Sequence, residues 1–91
     1  MTSRTPRPAR ITLVSRVGCH LCDAARDVIS RVADDTGAGW VEVDVDGELG
    51  DAYDPQRLAR WSDEVPVTLV DGEQHDYWRV DEARLRAALA R

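Results

Sequence analysis

The sequence has no lysine and no phenylalanine, one methionine and two cysteines. Each shortage excludes something. All 12 cationic side chains are arginines and 17 side chains are acidic, which leaves a formal charge of -5. Nonspecific nucleic-acid binding draws most of its affinity from neutralised phosphates, so no nucleic-acid partner is expected. Long apolar runs are missing too. The stretch Ile11-Thr12-Leu13-Val14 is far too short for the core of a signal peptide, and nothing else in the chain is long enough to span a bilayer. No membrane partner is expected and the chain reads as cytoplasmic. Thiols stay reduced in that compartment, so a close cysteine pair points to catalysis or metal binding before it points to a structural disulfide.

What is present describes one packed domain. A chain of 91 residues buries roughly two-thirds of its unfolded surface, enough for one modest core. With 43% hydrophobic and 32% charged residues it is too apolar to be disordered. Residues 1–9, with two prolines and no apolar cluster, read as a flexible tail, and residues 10–91 as the domain. A monomer is expected.

Hydrophobic periodicity supplies the elements. Ile11–Val14 is short and β-branched, as a buried strand requires. From Leu21 the apolar positions Ala25, Val28, Ile29 and Val32 recur at helical spacing until Gly37 and Gly39. Apolar and acidic residues alternate from Val41 to Asp46, the pattern of a strand with one covered face. Asp54-Pro55 is a helix start that leads to Leu58 and Trp61 on one face. Val65–Val70 and Glu73–Arg79 are two strands joined at Asp71-Gly72, a strong hairpin turn. Asp81 caps a last helix that buries Leu85, Ala88 and Leu89, with Val80 packed on Leu85 as a hydrophobic staple. The order βαβαββα implies an α/β fold of thioredoxin-like type, a four-stranded mixed sheet flanked by helices.

The chemistry centres on Cys19 and Cys22, in the segment Arg16-Val17-Gly18-Cys19-His20-Leu21-Cys22. This places Cys19 at the amino terminus of the first helix and Cys22 one turn inside. Free N–H groups and the helix dipole favour a thiolate there, and C-x-x-C cysteines at such positions have pKa values of roughly 3.5 to 7.5. Cys19 is then the nucleophile that attacks a disulfide, and Cys22 the thiol that resolves the mixed disulfide. Three other readings compete. A structural disulfide would close too short a loop to remove much chain entropy. A zinc site would need His20 and the remote His75 to complete its ligands, so no metal is expected. A catalytically silent peptide-binding module of the same fold is the third.

These residues resemble the glutaredoxins, and more closely a group of small bacterial glutaredoxin-like proteins, over about residues 10 to 91. The resemblance implies a thiol-disulfide oxidoreductase that reduces protein or low-molecular-weight mixed disulfides. No cofactor is implied beyond the redox-active pair Cys19 and Cys22. The electron donor would be glutathione, another low-molecular-weight thiol or a reductase. Arg16, three residues before Cys19, holds the offset of a family cation that favours the thiolate and an anionic substrate group. Val65-Pro66 holds the place of the family's cis-proline, which implies that the backbone of Val65 binds substrate and that Pro66 faces the cysteines.

The departures concern the substrate. His20-Leu21 replaces the usual proline-tyrosine interior, and His20 would tune the thiolate by its charge. The glycine pair that precedes the last helix in glutaredoxins is absent, and Asp76-Tyr77-Trp78-Arg79-Val80-Asp81 stands there instead. Trp78 and Arg79 would replace it with an aromatic surface and a carboxylate-binding fork, or Trp78 would pack in the core. The acidic set Asp44, Asp46, Glu48 and Asp51 lacks calcium-loop spacing and reads as a solvated edge.

Overall fold

A computed structural model describes residues 9–46 and 55–90, without the side chains of residues 55, 57 and 58. Seven elements run in the order β1 (Ala9–Ser15), α1 (His20–Thr36), β2 (Gly39–Asp44), α2 (Pro55–Glu64), β3 (Val67–Val70), β4 (Glu73–Tyr77) and α3 (Glu82–Leu89). The strands form one mixed sheet in the order β2-β1-β3-β4. β1 pairs parallel with β2 and antiparallel with β3, and β3 pairs antiparallel with β4. This is the thioredoxin-like arrangement that the element order implied.

Alternation along β1 and β3 divides the interior in two. Ile11, Leu13 and Val70 face one side, where they pack with Ala25, Ile29 and Val32 of α1 and with Leu85 and Leu89 of α3. Val14, Val67 and Leu69 face the other, where Trp61 of α2 covers them. Val80 joins the first cluster beside Leu85, as a staple at the start of α3 requires. Asp81 caps that helix, its side chain accepting from the Arg84 N–H at 3.0 Å. The hairpin closes with both Asp71 and Gly72 at positive φ, 52° and 85°, the combination of a type I′ turn.

Several boundaries differ from the sequence expectation, each for a local reason. β1 starts at Ala9, inside the expected tail, because Ala9 finds a partner in Gly39. β2 stops at Asp44, whose carboxylate accepts from the Asp46 N–H at 2.9 Å and turns the chain. β3 starts only at Val67, since Pro66 before it has no N–H to give to the ladder. β4 stops at Tyr77 because Trp78 takes φ 65° and turns its N–H towards the Pro66 carbonyl at 2.7 Å. Leu21, expected on the buried face of α1, is 46% exposed, and Cys22 is buried in its stead. Asp54, Glu48 and Asp51 lie outside the described residues, as does the side chain of Leu58.

Candidate active site

The β1–α1 turn is built around Gly18. The Cys19 N–H donates to the Arg16 carbonyl at 3.2 Å, and Gly18 occupies the third position of that turn at φ 82°. A type II turn needs positive φ there, which glycine supplies without strain. The turn delivers Cys19 to the N-cap of α1, where its sulfur accepts from the Cys22 N–H at 3.2 Å. A free helix N–H aimed at this sulfur is the donor that a thiolate requires.

The two thiols have unlike surroundings. Cys19 is half-buried and Cys22 is fully buried, and both are free. Burial pushes the Cys22 thiol up to about 11, and its contact with Cys19 adds to the rise. The Arg16 backbone and the charge of Arg26 pull the other way. An accessible sulfur beside a buried neutral one is the asymmetry that distinguishes an attacking thiol from a resolving one.

A charged network adjoins the cysteine helix. Glu42 pairs across the sheet with Leu13, which turns its carboxylate to the α1 face beside Ser15. The Ser15 hydroxyl donates to Glu42 at 2.6 Å, and Arg26 grips the same carboxylate through Nε and Nη2 at 2.7 and 2.6 Å. The Arg26 guanidinium and the Ser15 hydroxyl hold the Glu42 carboxyl below the usual carboxylate range. Sequence reasoning missed this network because it depends on the β1–β2 register.

Of the residues singled out in the sequence, Arg16 is engaged elsewhere. Its guanidinium binds Asp46 at 2.6 and 3.2 Å and the Ser62 hydroxyl and carbonyl at 2.7 and 3.1 Å. It ties the cysteine turn to the turn after β2 and to α2, although Cys19 still registers in its electrostatic surroundings. His20 is the exposed first residue of α1. Val65 and buried Pro66 lie in the segment between α2 and β3. Val65 opens with Leu21, Asp76, Tyr77, Trp78 and Arg79 onto a groove of about 660 Å³. Leu21 and Trp78 thus line this groove, and the exposure of Trp78 departs from the core alternative. Among the described residues no cluster of His, Cys, Asp and Glu could hold a metal ion. No helix among them is long and apolar enough to cross a membrane.

The sheet order and the cysteine pair at a helix amino terminus, with a cis-proline ahead of β3, define a protein of the thioredoxin-like superfamily. Within it, residues 10–90 match the model of the glutaredoxin-like domain family (DUF836), and the chain belongs to that family. An uncharacterized protein of Mycobacterium tuberculosis and one of Mycobacterium bovis are each 35% identical over 82 residues, covering 90% of this chain and 84% of theirs. A structural-genomics target protein from X. campestris superposes with a TM-score of 0.63 at 28% identity, over 88% of this chain and 95% of its own. Fasciola hepatica thioredoxin, at 19% identity and a TM-score of 0.52 over 88% of this chain and 76% of its own, shares the fold.

Proposed function

We propose that the protein is a dithiol oxidoreductase that reduces mixed disulfides, with Cys19 as the nucleophile and Cys22 as the resolving thiol. The observation that carries this reading is the Cys22 N–H aimed at the Cys19 sulfur, with Cys19 accessible and Cys22 buried behind it. The Cys19 thiolate attacks one sulfur of a substrate disulfide, forms a new S–S bond and releases the other half as a thiolate that takes up a proton. Cys22 then gives up its proton and attacks the Cys19 sulfur. The second half leaves as a thiol, the substrate has gained two electrons, and Cys19 and Cys22 are joined. A low-molecular-weight thiol such as glutathione, or a reductase, returns the pair to the dithiol. The charge of Arg26 offsets a small part of the rise that burial imposes on the Cys22 thiol.

Single-turnover reduction of a fluorescent mixed disulfide tests the assignment. Cys19→Ser abolishes release of the first thiol. Cys22→Ser allows that release but accumulates a covalent adduct on Cys19, visible by mass spectrometry. Full turnover by Cys19→Ser, or an adduct found on Cys22, would overturn the roles of the two cysteines.

A further inference from the structure

The groove reaches the cysteine segment at Leu21, the residue before Cys22, and much of its wall is apolar. Leu21, Tyr77 and Trp78 are 46%, 48% and 53% exposed, and all three line it. Exposed large apolar side chains gathered at one place mark a contact surface. Tyr77 and Trp78 meet edge to face, ring centroids 5.1 Å apart, which gives the aromatic wall a fixed shape. Trp78 holds that position at φ 65°, an outlier for a bulky residue. Its N–H is tied to the carbonyls of Pro66 and Glu64 at 2.7 and 3.3 Å. Strain of this kind gathers at ligand clamps.

The charges of the groove are unequal. Asp76 is compensated, since Arg84 binds its carboxylate at 2.7 Å and the Asp81 N–H donates to it at 3.2 Å. Arg79 is exposed and has no carboxylate partner among the described residues. Leu21, Trp78 and Arg79 also border a second groove of about 300 Å³, so Arg79 stands where the two meet. On a chain of net charge -5, an uncompensated cation at the edge of an apolar groove complements an anionic group with an apolar neighbour.

Building on the proposed dithiol chemistry, we infer that the substrate is an extended polypeptide whose disulfide-bonded cysteine is flanked by an apolar and an acidic side chain. The apolar side chain lies against Leu21, Tyr77 and Trp78, and the carboxylate pairs with Arg79. Arg79 is then the residue that selects the substrate, and it takes no part in sulfur exchange.

Binding is measured apart from redox chemistry by titrating the reduced full-length chain with capped peptides that carry serine in place of the cysteine. A central leucine-serine-glutamate run is compared with leucine-serine-glutamine and leucine-serine-arginine, and the Trp78 indole resonance is followed by NMR. The glutamate peptide binds about fivefold more tightly than the glutamine peptide, the size of one exposed ion pair. Arg79→Gln removes the difference, and Arg79→Glu makes the arginine peptide the preferred one. Binding that ignores the peptide charge, no binding of any peptide, or Arg79-dependent binding of glutathione alone overturns the inference. Reduction of the matching peptide mixed disulfides is assayed in parallel. Charge-selective binding without reduction would overturn the dithiol assignment and leave the peptide site standing.

Discussion

Cys19 and Cys22 share one turn of chain yet meet opposite environments, because the helix N-cap keeps the first at the surface and α1 turns the second onto the sheet. The pH dependence of stability reads this directly. Burial raises the Cys22 thiol from an ordinary 9.0 to about 11, so the folded protein holds that proton more tightly than the unfolded chain. The corresponding stability is complete below pH 9, and it is lost as pH rises through 11. The expected outcome is that denaturant titrations of the reduced protein give a midpoint that declines across this window and that Cys22→Ala removes that component of the decline. If Cys22→Ala has the same pH profile as the parent chain, Cys22 is not a buried neutral thiol. The pair itself was legible in the sequence because C-x-x-C after a β-branched run has few other uses. Arg16 was legible only as a cation at the right offset. Its actual partners, Asp46 and Ser62, come from the turn after β2 and from α2, and no local pattern announces them.

At the scale of elements, the turn from β1 into α1 decides where the nucleophile sits. Gly18 has positive φ and open space around it, with nothing within 4 Å of an added Cβ. Gly18→Ala therefore costs only the backbone term, about 1–2 kcal/mol. The expected outcome in thermal unfolding is a lowered midpoint without loss of folded structure at room temperature. A neutral effect would mean that the turn is not held at this φ. Periodicity located all seven elements, since α1 and α3 bury faces of helical spacing and the hairpin is marked by Asp71-Gly72. The ends escaped it. β4 stops before Trp78 because carbonyls from the end of α2 and the following loop capture the Trp78 N–H, a tertiary effect that no strand pattern contains. The same capture turns Trp78 outward and builds the groove, which is why the site was less legible than the fold.

At the scale of the molecule, the described residues form one sheet with a separate packing layer on each face, and the cysteine turn is tied to the α2 layer through Arg16 and Ser62. Two truncations of similar severity separate the layers. Trp61, 1% exposed, covers the α2 side, and Leu85, fully buried, anchors α3 on the other. Trp61→Ala costs about 3–5 kcal/mol and Leu85→Ala about 2–5 kcal/mol. Both are large beside the roughly 5–15 kcal/mol that holds a domain of this size together, so both lower the unfolding midpoint. Their effects on Cys19 differ. Loosening α2 releases the Ser62 anchor of Arg16 and frees the turn that sets the N-cap, so iodoacetamide alkylation of Cys19, measured well below the unfolding transition, changes in Trp61→Ala. In Leu85→Ala the anchor is intact and the alkylation rate stays at the parent value. Equal changes in the two variants would mean that the reactivity of Cys19 follows global stability. A change confined to Trp61→Ala places its control in the α2 layer, reached through Arg16.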